Sequence, residues 1–136
     1  MKEERGTVLI IFVGMLATFI ATFICAFNIY SVIRDQQDLR NIVDQAALSG
    51  TNQIDLNSYY NSQLVNNVNL NPSQVENQVK VFIMSMIKEQ EILNLNISII
   101  GDEVSVTIQK KSKLPFGIGL NYVTVSAVAS AKLQVS

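Results

Sequence analysis

Hydrophobic and polar positions along this chain follow two periods, and the change of period marks the change of element. From Thr7 to Ile33 there is no charged side chain. A helix over these residues runs about 40 Å at about 1.5 Å per residue, and a bilayer core needs only about 20 residues. The segment is long enough to span a membrane and protrude from it. Beyond Arg34 the helical pattern continues: Leu39, Ile42, Val43, Ala46 and Ala47 recur at helical spacing with no Pro or Gly before Gly50. The expected element is one helix from about Arg5 to Ser49, roughly 65 Å long. Its inner two thirds are apolar and its outer third amphipathic, with Gly50 as a C-terminal stop.

Thr51 to Asn71 is rich in Asn, Ser and Gln and reads as a polar connection. Asn71-Pro72 then opens a second helix, since Asn suits the N-cap and Pro the first helical position. Val75, Val79, Phe82, Ile83, Met86 and Ile87 form one apolar stripe, and the helix fades near Gln90 to Glu91. The period next falls to two. Leu93, Leu95, Ile97 and Ile99 alternate with polar residues, and Gly101-Asp102 supplies a tight turn. Val104, Val106 and Ile108 alternate again. After a loop, so do Val123, Val125, Ala127, Ala129, Ala131, Leu133 and Val135. Three strands with one apolar face each predict an antiparallel meander covered by the two helices. The fold class is α+β: a long N-terminal transmembrane helix extending into a small head, in which a second helix packs on a three-stranded antiparallel sheet in the order α-α-β-β-β. The alanines of the third strand allow a helix backbone to come close, and the small residues Ala46 and Ala47 make the outer third of the first helix the expected neighbour.

Composition narrows the classes. The chain has 136 residues and a formal net charge of −1, and its basic cluster is confined to Lys110-Lys111-Ser112-Lys113. Nucleic-acid binding has no electrostatic footprint here. The chain contains no histidine and a single cysteine, Cys25 in the apolar segment. An intrachain disulfide is excluded. There is no metal-ligand cluster, no G-x-S-x-G and no Gly-rich phosphate loop. The expectation is a protein that is not an enzyme and takes no cofactor.

A cleaved secretory signal has an apolar core of roughly 7–15 residues and a small-residue cleavage site. This segment is longer and is followed by Asn28-Ile29-Tyr30-Ser31, so it reads as an uncleaved signal-anchor. Lys2 and Arg5 flank one end and Arg34 and Arg40 the other, which nearly balances the positive-inside rule. The free amino terminus and the large C-terminal part favour the N-terminus inside. The organisation expected is a cytoplasmic 1–6, a transmembrane 7–33, a protruding 34–50, a connection 51–71 and a head 72–136.

Three features carry candidate function. Gly14, Ala17, Thr18, Ala21, Thr22 and Cys25 make a gap-free stripe of small residues within the apolar helix, and such stripes let membrane helices pack at short range. The partner would be another copy or another protein. On the protruding part, Arg34/Asp38 and Arg40/Asp44 are i,i+4 pairs in the weaker orientation, and Asp44 lies near the helix's negative end. This is an ordinary solvated face, or one where Asp44 meets a partner. The third is the loop from Lys110 to Leu120, where Lys113, Leu114, Phe116 and Ile118 combine a basic root with an apolar tip. Two readings fit it: contact with a membrane surface or protein groove, or folding back over the sheet edge.

The opening Arg5-Gly6, the apolar helix, and then Leu39, Asp44, Ala46, Ala47, Leu48 and Gly50 resemble the signature of TadE/TadG-like proteins of Tad (Flp) pilus systems. Arg40, Gln45, Ser49 and Thr51 depart from it. The segment Val123-Thr124-Val125-Ser126-Ala127-Val128-Ala129 is similar to the strand that closes the family's pilin-like region. The resemblance implies a pilin-like fold and a minor pilin or pseudopilin. Such a protein would sit in the bacterial cytoplasmic membrane as a single-pass component of a pilus or related secretion apparatus, in contact with lipid and with other pilin-like or assembly proteins. The chain is too short for the further adhesion-type domain of large TadG-type proteins. Ile11 stands where pilins cut by prepilin peptidase carry Glu, which argues against that processing. The alternative is a single-span accessory subunit that binds or regulates an unrelated membrane complex, which neighbouring genes would distinguish. An uncleaved anchor predicts that mass spectrometry of the membrane-bound chain finds an intact Met1; a mature start at Thr7 would overturn it.

Overall fold

The structure is a computed structural model that describes residues 2–52, 71–117 and 119–132. Helix α1 runs unbroken over Lys2–Thr51 and α2 over Pro72–Met86. A 3₁₀ turn at Glu89–Glu91 leads into β1 (Ile92–Ile100), β2 (Glu103–Lys113) and β3 (Tyr122–Lys132). The sheet is antiparallel in the order β1-β2-β3. This is the expected α+β layout. The connection over 53–70, Ile118, and the end of the third strand with Leu133 and Val135 lie outside the described residues.

The register explains how the helices cover the sheet. Leu95, Ile108 and Ala127 form one inward-facing row, Ile97, Val106 and Ala129 the next, and Ile99, Val104 and Ala131 the third. In every row the side chains shrink from β1 to β3. The low side of the surface is therefore over β3, and α1 lies there, against β3 and β2, with α2 beside it. Leu39, Val43, Ala46 and Ala47 of α1 are wholly buried with Val75, Val79 and Ile83 of α2 and Val104, Val106 and Ile108 of β2. Burying a Val, Leu or Ile side chain contributes about 1.5–3 kcal/mol, so this one cluster holds the head together.

Several boundaries differ from expectation, each for a local reason. Gly50 is not the helix stop. The helix continues to Thr51, whose hydroxyl donates to the Leu48 carbonyl at 2.9 Å. A Cβ on Gly50 would lie 3.0 Å from Val79 Cγ2, 3.1 Å from Val104 Cγ1 and 3.2 Å from Val75 Cγ1. At Gly50, therefore, α1, α2 and β2 approach closely. Asp44 is two turns inside the helix, too far from the end to feel its dipole strongly. Asn71 occupies the N-cap position of α2 with its carbonyl accepting from the Val75 N–H at 3.0 Å, but its side chain makes no cap bond. The stripe on α2 is narrower than expected, because Met86 points outward while Val75, Val79, Ile83 and then Ile87 point in. A register shift between Ile92 and Asn94 turns Leu93 out and Ile92 in. Lys110 to Lys113, expected in a loop, complete β2 and pair with Tyr122 to Val125.

Below the head, every residue from Gly6 to Phe23 is exposed. The helix is long and apolar enough to cross a membrane.

The close approach at Gly50 makes a prediction. Gly50→Ala gains helix propensity of up to about 1 kcal/mol but overpacks three valines at once, which costs about 1–3 kcal/mol. The expected net effect is a lower thermal midpoint for the detergent-solubilised chain, and a larger drop for Gly50→Leu. At Gly14, where a Cβ meets nothing within 4 Å, the alanine variant is expected to leave that midpoint unchanged.

Candidate functional site: one helix face shared by the apolar segment and the head

Steps of three and four residues stay on one side of an α-helix. Followed upward from Gly14, such steps pass through Thr18, Ala21 and Cys25, then Asn28, Val32, Asp35, Leu39, Val43, Ala46 and Gly50. The lower members are exposed, and the upper ones, from Asn28, meet the head. The small-residue stripe and the head-docking stripe are therefore consecutive parts of one face. Gly14, Ala17, Thr18, Ala21, Thr22 and Cys25 are all exposed among the described residues. The Thr18 hydroxyl donates to the Gly14 carbonyl and the Thr22 hydroxyl to the Thr18 carbonyl, each at 2.9 Å. With both hydroxyls satisfied inside the helix, the stripe presents small, mostly apolar surface to whatever lies against it.

The junction between the two halves is polar and specific. The Asn28 Nδ2 donates to the Phe116 carbonyl at 2.8 Å, and the Phe116 N–H donates to the Asn28 Oδ1 at 3.0 Å. One amide thus holds both backbone groups of a loop residue 88 positions away. The Phe116 ring meets Phe27 edge-on at 6.3 Å between centroids, and Phe27 continues a ladder to Phe23 and Phe19. The loop is closed at its base by the Leu114 N–H donating to the Asn121 carbonyl at 3.1 Å. About two turns higher on α1, the buried Ser112 hydroxyl of β2 donates to Asp35 Oδ2 at 2.5 Å. This bond ties the lower end of β2 to α1, near Val32, which packs against the edge of the hydrophobic core.

Of the loop residues singled out in the sequence, Phe116 is brought to the helix. Leu114 is half-buried at the loop base, Lys113 is exposed at the end of β2, and Ile118 lies outside the described residues. The fold-back over the sheet edge does not occur at Phe116, which lies against α1 instead. Arg34/Asp38 and Arg40/Asp44 do not pair. Among the described residues the ion pairs are Glu76–Lys80 at 2.6 Å and Asp102–Lys132 at 3.6 Å. The contrast follows orientation: Glu76 precedes Lys80 by four residues, the favoured order, whereas both α1 pairs place the cation first. The family-like positions divide in two. Leu39, Ala46, Ala47 and Gly50 are buried inside the head, while Asp44 and Leu48 are exposed on the far side of α1.

Of Asn28, Asp35 and Ser112, two carry a trace in the sequence. Asn28 carries the one side-chain amide in the charge-free segment, and an amide in apolar surroundings needs a partner. Ser112 falls on the inward parity of a strand whose other inward residues start Val104, Val106, Ile108. Among the described residues no group of three or more His, Cys, Asp and Glu is placed to hold a metal ion. Comparison with known protein families, with characterised proteins and with solved structures finds no match.

Removing the Ser112 hydroxyl leaves the half-buried Asp35 carboxylate without its donor, a loss of about 1–3 kcal/mol. Ser112→Ala is expected to lower the thermal midpoint measurably. Because the two groups share one bond, the Ser112→Ala/Asp35→Ala double variant is expected to lose less than the sum of the single losses.

Proposed function

We propose that this chain is a structural subunit anchored in a bacterial cytoplasmic membrane by a single helix, with its N-terminus inside and its head outside. In this reading it is a minor pilin or pseudopilin of a Tad-type pilus or related secretion apparatus. The observation that carries the reading is the continuity of α1: one unbroken helix is apolar and unburied from Val8 to Phe23 and is the central packing element of the head from Leu39 to Gly50. Such a rod transmits position from the lipid to the head without a hinge, which is what a subunit assembled through its helix requires. The resemblance of Leu39, Asp44, Ala46, Ala47, Leu48 and Gly50 to the TadE/TadG-like signature supports the same class. The absence of a charged side chain over 27 positions, Thr7 to Ile33, supports the span.

In this reading the small face is the lateral contact. Dispersion between closely approaching backbones drives association in lipid, and Thr18 and Thr22 add no unsatisfied hydroxyl to oppose it. Ala17→Leu with Ala21→Leu places two large side chains on that face and touches nothing in the head. The expected result is loss of co-purification with membrane or pilus partners while the head's thermal midpoint stays unchanged. Unchanged co-purification would remove the small stripe as the assembly surface.

A further inference from the structure

We propose that the loop between β2 and β3 is a second membrane contact, in which Phe116, Leu120 and Tyr122 rest in the head-group layer of anionic lipid beside α1. The inference rests on the reading of α1 as a membrane span. Asn28 sets the depth of the loop, because its amide holds the Phe116 N–H and carbonyl together. Counted from Thr7 at about 1.5 Å per residue, a hydrocarbon core of about 30 Å ends near Phe27. The loop is therefore pinned at the level where acyl chains give way to head groups.

The composition of this end of the head fits that level. Phe116 is 48% exposed, Tyr122 54% and Leu120 66% among the described residues. Amphipathic aromatic rings favour the membrane interface, and Tyr30 stands exposed at the same end of the apolar segment. Lys111 and Lys113 lie on the outer face of β2, with the Lys111 Nζ 4.9 Å from the centre of the Tyr122 ring. No acidic residue follows Glu103 in the sequence, and on α1 Asp35 is engaged by Ser112. Lysines beside apolar side chains at a bilayer surface attract anionic lipid. A lone span leaves its head free to rotate about the helix axis, and this second contact fixes which side of the head faces outward.

The chain contains no tryptophan, so a single introduced one reports its own depth. The full chain is reconstituted in vesicles of phosphatidylcholine and phosphatidylglycerol carrying bromine either near the head group or near the chain ends. Phe116→Trp is the reporter, Leu120→Trp repeats it at a more exposed position, and Phe19→Trp and Val128→Trp are the references for the span and for the outer face of β3. The expected result is loss of emission from Phe116→Trp and Leu120→Trp with bromine near the head group. Phe19→Trp then loses emission with the deeper bromine, and Val128→Trp with neither. Loop reporters open to aqueous acrylamide and insensitive to bromine, with Phe19→Trp still quenched, overturn the loop contact and leave the span intact. Loop reporters shielded from both quenchers overturn it in favour of a protein partner. A Phe19→Trp reporter insensitive to both bromines overturns the span and the loop contact together.

Discussion

The head of this protein depends on how closely α1 can lie on β3. A helix backbone comes close to a sheet where the surfaces are small, and the core here contains Ala127, Ala129 and Ala131 of the strand and Ala46 and Ala47 of the helix. The larger residues of β1 fill the other side, so the sheet offers a graded surface rather than a flat one. That gradient sets which helix covers which strand. Exchanging the sizes would keep the hydrophobic pattern and lose the arrangement, because packed interiors respond to volume at the scale of a single methylene.

The lower half of α1 obeys a different constraint. Its backbone is satisfied within the helix, the one way a single segment can cross lipid, and its two inward-bonded threonines keep its surface free of unsatisfied hydroxyls. Asn28 is where the two environments meet. Its amide would be costly in hydrocarbon, and the loop supplies a backbone donor and acceptor that satisfy it. Since the docking stripe continues the small-residue stripe, the head stands above that face, and the loop at Phe116 marks its upper limit. A neighbouring helix packed along Gly14 to Cys25 would end against this loop.

The elements that could be read from sequence are those whose evidence is periodic. The extent of α1, the stripe of Val75, Val79 and Ile83, the three strands and the pairing of small helix residues with the alanine strand all follow from spacing and size. The departures have non-periodic causes. A bulge after Ile92 reverses the parity for Leu93, which no count of alternation reveals. The lysines of β2 break the apolar alternation of the strand, yet the β3 partner strand determines where pairing ends, and it extends β2 to Lys113. Gly50 suggests a helix end by residue type, while three valines from two other elements decide its place here. Asn28 with Phe116 and Asp35 with Ser112 join positions 88 and 77 residues apart, and a polar pair at that separation leaves no repeating trace.

The division of the TadE/TadG-like positions bears on what such a signature means. Leu39, Ala46, Ala47 and Gly50 are accounted for by packing inside this chain: each is buried against the sheet or α2. Leu39 fills the core and Gly50 admits the valines of α2 and β2, so this part of the motif is accounted for by packing within the chain. Asp44 and Leu48 are different. They lie four residues apart on the side of α1 turned away from the core, Leu48 is 57% exposed, and Asp44 forms no ion pair. Packing within the described residues requires neither. Their exposure on α1, away from the residues that pack into the core, is what distinguishes these two positions from the other four.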